Sequence, residues 1–194
     1  FSSQYGLEYS HAYAPRKLRQ STYVKKDLGE KEIFLSDLTL NKNAQEENSS
    51  VHSPIIGWAY DGNPIYGPYG YRDNSGGPLK ILESGYSQSI STERPNPLTA
   101  AGEQIFSDGF FVEDYSYNPE KDLDEHNGRF CKTPEYPNGV YAYFATIEPG
   151  EFDSDGSFKN YRRPVFPYFI GNSYKSEPIG YNFSYLSNQN DTDL

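Results

Sequence analysis

Cysteine, methionine and long apolar runs are scarce in this chain. The 194 residues contain one cysteine, Cys131, and no methionine, and only 35% of them are hydrophobic. A single cysteine excludes an internal disulfide and the cysteine-rich zinc sites, so Cys131 is predicted to be a small buried apolar residue. No stretch approaches the roughly 18 apolar residues of a membrane-spanning helix. We therefore expect no membrane association through such a helix.

Positive charge is also in short supply. The chain has 17 Lys and Arg against 27 Asp and Glu, which gives a formal net charge of -10. Nucleic acids and anionic membrane surfaces need a basic face, so neither is an expected partner. The sequence also lacks the GxSxG, HExxH, P-loop and GxGxxG motifs. These absences favour a non-catalytic protein.

Aromatic and turn-forming residues are abundant instead. The chain has 19 Tyr, 12 Phe, 17 Gly and 14 Pro. Tyrosine suits strands, and Gly and Pro at this density suit turns. The predicted fold class is therefore mainly β, an irregular sheet or sandwich with long loops and one short helix. Strands expected to share one sheet or sandwich lie near residues 55–60, 110–117, 139–147 and 164–170.

Composition shifts divide the chain into three predicted regions. Residues 1–50 form an N-terminal arm and an irregular segment, with solvated basic residues that include Arg16, Lys17 and Arg19. Contact of these residues with a neighbouring acidic subunit is the alternative. Residues 51–171 form the β-rich domain, and residues 172–194 form a linker or the start of a next module. Because the chain opens on Phe1, we expect it to be part of a longer protein.

Three sequence blocks carry a resemblance to a known family. They are HSPIIGWAYDGNPIYGPYGY (52–71), DLDEHNGRFCKTPEYPNGVYAYFATI (122–147) and PVFPYFIG (164–171). Their order and spacing resemble the YHYH-domain proteins, in particular those embedded in long tail proteins of marine phages. The resemblance implies a module of a virion tail or fibre, or of an extracellular surface, that forms homo-oligomers with other subunits of the same assembly.

The motif that names the family is altered here. One copy corresponds to Tyr141-Ala142-Tyr143-Phe144, where both histidines are replaced, and the other to Tyr9-Ser10-His11-Ala12. The surviving tyrosines, glycines and prolines are scaffold residues. The resemblance therefore implies architecture, and no catalytic residue is predicted. The expected function is a non-catalytic structural or adhesive module that assembles through aromatic surface and displays loops.

Four polar residues are the candidates for a divalent-cation site. They are His52, Asp61, Asp124 and His126. Imidazoles and carboxylates are ligands for zinc or manganese when they converge, so a metal-dependent enzyme is one alternative function. In the competing interpretation no cofactor is bound, His52 hydrogen-bonds a turn and Asp61 forms an Asx-turn with Gly62.

A structural polar network is a second hypothesis for the same region. Its members are Asp124, Glu125, Asn127 and Arg129. Asn127-Gly128 is typical of a turn with positive φ, and Arg129 is predicted to pair with Glu125 or Asp124.

The tyrosines support a third hypothesis, that the chain binds carbohydrate. Core and interface packing explains most of them. A carbohydrate-binding module for host attachment is the alternative, because a ring can lie against the C–H face of a sugar while nearby polar groups bind its hydroxyls. The candidate ligand residues for a cell-surface glycan are Tyr66, Tyr69, Tyr71, Asp73 and Asn74.

Overall fold

The computed structural model describes residues 36–40, 46–89, 97–103, 105–152, 158–160 and 162–178, with Arg19 and four short strands before residue 35. The strands, in chain order, are β1 Ser2–Ser3, β2 Gly6–Leu7, β3 Val24–Lys26, β4 Glu32–Phe34, β5 Ile55–Trp58, β6 Pro64–Tyr66, β7 Tyr69–Asp73, β8 Gly76–Ile81, β9 Tyr86–Gln88, β10 Tyr115–Tyr117, β11 Gly128–Cys131, β12 Val140–Phe144, β13 Glu151–Phe152 and β14 Phe158–Asn160. A 3-10 turn spans Val112–Asp114. The prediction of a mainly β fold is confirmed.

A four-stranded sheet holds the centre of the fold. Its order is β11-β12-β6-β5, so β11 and β5 are its edges. Strand β12 runs parallel to β6, with Tyr143 opposite Ile65, and the other two pairs are antiparallel. The remaining strands form antiparallel pairs: β1–β2, β3–β4, β7–β8, β9–β10 and β13–β14. The fold is therefore a set of small sheets around one mixed sheet.

Aromatic rings fill much of the core, as the composition predicts. One cluster contains the buried residues Tyr66, Leu82, Leu123, Cys131, Ala142 and Phe144. A second joins Tyr69, Ile81, Ala145 and Ile147. The buried tyrosines satisfy their hydroxyls internally; that of Tyr66, for example, lies 2.9 Å from both Thr133 Oγ1 and Glu135 Oε2. The prediction for Cys131 is also confirmed, since it is 1% exposed.

Two of the four predicted strands do not join the central sheet. Strands β5 and β12 do, but β10 pairs with β9 in a separate ribbon. Residues 164–170 form no strand; only Pro164 makes a bridge, to Ile147, and a turn follows. The physical reason is that Pro164 and Pro167 lack the N–H that a strand ladder needs.

The described residues include no helix with the length and apolar character that crossing a bilayer requires.

Candidate functional site

Two tyrosines of β12 project from one face of the central sheet. Residues two apart on a strand share a face, so Tyr141 and Tyr143 point one way and Ala142 and Phe144 the other. The two tyrosine rings meet edge to face with centroids 5.3 Å apart. Ala142 and Phe144 are fully buried in the core. We call the group formed by Tyr141, Tyr143, Asp61, Asp124 and Lys175 the tyrosine–aspartate cluster.

Asp61 belongs to the turn between β5 and β6. Its Oδ1 accepts a hydrogen bond from the Asn63 N–H at 3.2 Å, which makes the predicted Asx-turn. Its Oδ2 accepts from the Tyr143 hydroxyl at 2.6 Å and from the Ser176 N–H at 3.3 Å. Burial alone would raise the pKa of Asp61, but the hydrogen bonds from Tyr143 and Asn63 outweigh it and hold that pKa below its usual range.

Asp124 holds the turn that leads into β11. Its Oδ1 accepts from the backbone N–H groups of His126 at 3.0 Å and Gly128 at 3.2 Å, and from the Tyr141 hydroxyl at 2.9 Å. Asn127 has φ 63°, so the predicted positive-φ turn is confirmed. A Cβ on Gly128 would clash with the Tyr141 hydroxyl oxygen and lie 2.8 Å from the Ala142 carbonyl oxygen, which is why the turn needs glycine there.

Residues 171–176, the clamp segment, cover the tyrosine face. The Gly171 N–H donates to the His126 carbonyl at 2.9 Å, and the Lys175 N–H donates to the Tyr143 hydroxyl oxygen at 2.7 Å. The Lys175 ammonium lies 3.6 Å from Asp124 and 5.3 Å from the Tyr141 ring centroid. Most of this segment falls in the predicted linker, yet the structure packs it onto the cluster.

Through these contacts the cluster connects four parts of the chain. Burial and hydrogen bonding to Asp124 raise the pKa of Tyr141, and burial and hydrogen bonding to Asp61 raise that of Tyr143. Both phenols therefore stay protonated at neutral pH and act as donors to carboxylates. The arrangement joins two turns, a central strand and the clamp segment.

His52 lies on the opposite side of β12. Its ring packs 5.2 Å from Tyr66, 5.0 Å from Tyr71 and 6.1 Å from Phe144, centroid to centroid. The Nδ1 lies 2.7 Å from the Ser53 carbonyl oxygen, and because a carbonyl only accepts, Nδ1 carries the proton. Burial lowers the pKa of His52 despite this bond.

The lowered pKa of His52 predicts a loss of stability in mild acid. Between the folded pKa and the unfolded value of about 6.5, the unfolded chain binds more protons, so stability falls as pH drops below about 6.5. One proton can contribute at most ~1.4 kcal/mol per pH unit to this slope. Denaturant unfolding at several pH values between 5 and 7 measures it. His52→Phe should remove the contribution of this histidine, so the slope should become smaller; a slope unchanged in His52→Phe contradicts the assignment.

The four cation candidates are distributed over both faces of β12. Asp61 and Asp124 come together through Tyr143 and Tyr141, whereas His52 packs on the core side with Phe144. His126 Nδ1 lies 3.0 Å from the Ser173 carbonyl oxygen. In the described part of the chain, no three His, Cys, Asp or Glu side chains group as metal ligands. The clustered carboxylates accept hydrogen bonds from tyrosines and backbone N–H groups.

The predicted pairing of Arg129 is wrong. Its guanidinium donates to the carbonyl oxygens of Tyr71 and Arg72 and lies 5.8 Å from the Phe144 ring centroid. Asp124 instead accepts from its own turn and from Tyr141, and the Glu125 side chain is 63% exposed. Arg129 extends from β11 across the core face toward β7, away from the turn that Asp124 holds.

Two of the five predicted glycan residues are inaccessible. Tyr66 is 0% exposed and Tyr69 is 1% exposed, so neither ring can stack on a sugar. Tyr71 is half-buried and lines a pocket of about 480 Å³ with His52, Pro78, Leu79 and Pro134. Asp73 and Asn74 are exposed at the β7–β8 turn.

A buried charge network was missed by the sequence reasoning. The Arg19 guanidinium lies 3.0 Å from Asp37 and 2.7 Å from Glu46, and Arg19 is 1% exposed. Glu46 also accepts from the Tyr69 hydroxyl at 2.9 Å, and Arg162 donates to the same hydroxyl oxygen. Arg19 is therefore not a solvated arm residue. The buried hydrogen bond from the Tyr69 hydroxyl to Glu46 crosses the predicted boundary at residue 50. Arg16 and Lys17 lie outside the described residues, as does Tyr9-Ser10-His11-Ala12.

Tyrosine–carboxylate pairs join β12 to the turns that precede β6 and β11, so polar side chains of this mainly β fold hold its turns in place. A family model described as YHYH protein matches residues 4–153. The chain therefore belongs to the YHYH protein family. No curated protein and no solved structure matches it.

The two faces of Tyr141-Ala142-Tyr143-Phe144 have different surroundings in the structure. Tyr141 and Tyr143 lie in the tyrosine–aspartate cluster. Ala142 and Phe144 pack in the core beside Leu82 and Leu123. Apolar residues suit those positions because a buried imidazole would need hydrogen-bond partners.

Proposed function

We propose that this chain is a non-catalytic structural or adhesive module of a larger surface assembly, in a virion tail or fibre or on an extracellular surface. One observation carries the proposal: the clustered polar side chains of this chain are engaged in internal hydrogen bonds, whereas several large aromatic side chains are exposed to solvent. The carboxylates and phenols that converge are engaged in holding turns. Large aromatic side chains are left in solvent.

Two of these exposed aromatics lie on the edges of the central sheet. Trp58 on β5 is 58% exposed, and Phe130 on β11 is 63% exposed. Edge strands present unpaired backbone groups that can pair with another chain. Because the two edges differ, one copy's β11 can meet the next copy's β5, and such a head-to-tail contact extends into a ring or a filament. This contact is the proposed route of homo-oligomer assembly.

Sedimentation velocity over a range of concentrations and salt tests the proposal. With a net charge of -10, copies repel one another at low salt, so added salt should strengthen their association. Trp58→Ser and Phe130→Ser should each weaken it by at least about tenfold, as expected for interface aromatics. Phe110→Ser is the matched control, because Phe110 is 62% exposed but lies outside the sheet edges.

A chain that remains monomeric at its highest soluble concentration would overturn the proposed assembly. Self-association of Trp58→Ser and Phe130→Ser that is as strong as that of the unaltered chain would also overturn it. Turnover of a substrate that requires Asp61 or Asp124 would overturn the non-catalytic assignment.

A further inference from the structure

The loop before β10 presents a compact group of phenylalanine rings. Phe106, Phe110 and Phe111, here called the phenylalanine knob, pack with ring centroids 4.9–5.1 Å apart. Phe110 is 62% exposed, and the neighbouring Ile105 and Val112 are 51% and 48% exposed. Among the described residues, four of the nine exposed large hydrophobic side chains fall within residues 98–112, so they are concentrated in one region.

The loop that carries the knob is held in one shape. Asp114, only 3% exposed, accepts hydrogen bonds from the N–H groups of Gly109 at 2.9 Å and Phe111 at 3.1 Å. The Tyr115 hydroxyl donates to the Gly109 carbonyl at 3.2 Å, and Gly109 has φ 86°. A buried carboxylate thus orders a loop that exposes the Phe110 ring to solvent. Such preorganisation lowers the entropy cost of binding a partner.

The exposed charged side chains of the segment that carries the knob have one sign. Residues 97–118 contain three of them, Glu103, Asp108 and Glu113, and all are acidic; Asp114 is acidic too, but it is buried. An acidic rim repels anionic lipid, and it also repels a second copy of a chain with a net charge of -10. The complementary surface is an apolar socket bordered by Lys or Arg.

We propose that the phenylalanine knob docks into an apolar, basic-rimmed socket on a different protein. The inference rests on the proposed function, since it supplies the heterologous partner of the same module. It assigns separate surfaces to two contacts. The sheet edges join copies of this chain, and the knob joins the assembly to a basic partner.

Fluorescence anisotropy with two amphipathic peptides tests this assignment. The probes are a dye-labelled Leu/Lys peptide and its Leu/Glu counterpart, titrated with the full chain. The chain should bind the Leu/Lys peptide, and the affinity should fall as salt rises. Phe110→Ser should weaken that binding at least tenfold, and Glu113→Lys should also weaken it. Leu40→Ser removes an exposed apolar side chain outside both the knob and the sheet edges, and this variant should bind as the unaltered chain does.

Several results would overturn the inference. Equal loss of affinity in Phe110→Ser and Leu40→Ser would show that the peptide binds elsewhere. Equal affinity for the Leu/Glu peptide would show that charge does not select the partner. Phe110-dependent pelleting with phosphatidylcholine vesicles would identify a membrane surface instead. Weaker self-association of Phe110→Ser would place the knob between copies, and the proposed module function would then still stand. Unchanged thermal unfolding of each variant confirms that the folds are comparable.

Discussion

Replacing Arg19 with methionine should lower the free energy of unfolding by about 3–5 kcal/mol. The substitution keeps an unbranched side chain but removes the cation that lies between Asp37 and Glu46. Both acidic residues are almost fully buried, at 0% and 3% exposure. Breaking a buried pair leaves uncompensated charge in a medium of low dielectric constant, and this cost exceeds that of losing an exposed pair.

Equilibrium unfolding in urea measures the effect, and the chain offers a matched control. Lys121 lies 2.7 Å from Glu83, as close as Arg19 lies to Glu46, but both side chains of that pair are well exposed. Lys121→Met should change the unfolding midpoint little, because water and salt screen an exposed pair. If Arg19→Met and Lys121→Met have equal effects, burial does not make the Arg19 network more important to stability than an exposed ion pair.

Local signals in the sequence predicted the turns and the general composition of the core. Asn127-Gly128 indicated a positive φ, and Asn127 has it. Asp61 indicated an Asx-turn, and its Oδ1 makes one. These features depend on residues within about four positions of one another, so the backbone preferences of Asn, Asp and Gly are sufficient to specify them.

The contacts that join distant parts of the chain were not predictable in this way. Tyr143 and Asp61 are 82 positions apart, and Ser176 and Asp61 are 115 apart. No spacing rule connects residues over such separations, because the pairing depends on which strands become neighbours. The same limit explains Arg19, which reads as part of a basic arm but is buried between two carboxylates.

One signal in the sequence could have located the cluster. The alternation in Val140-Tyr141-Ala142-Tyr143-Phe144 places two phenols on one face of a strand and three apolar residues on the other. Two neighbouring phenols that are largely removed from solvent need hydrogen-bond partners. In an acidic chain, carboxylates are the natural acceptors.

If the tyrosines of the tyrosine–aspartate cluster stabilise the fold, the bond between Tyr143 and Asp61 should contribute measurably to the free energy of unfolding. Tyr143→Phe removes a donor 2.6 Å from a carboxylate that is 8% exposed. A hydrogen bond to a charged group contributes about 1.5–3 kcal/mol. Each single variant, Tyr143→Phe or Asp61→Asn, should lose stability on that scale. The bond lowers the pKa of Asp61, so its contribution is present near neutral pH and disappears as pH falls through that lowered pKa.

The decisive measurement is a double-mutant cycle of Tyr143→Phe and Asp61→Asn, read from the free energy of unfolding at pH 7. We predict a coupling energy of about 1.5–3 kcal/mol between the two positions. Additive single effects, with a coupling energy near zero, would contradict a structural role for the pair.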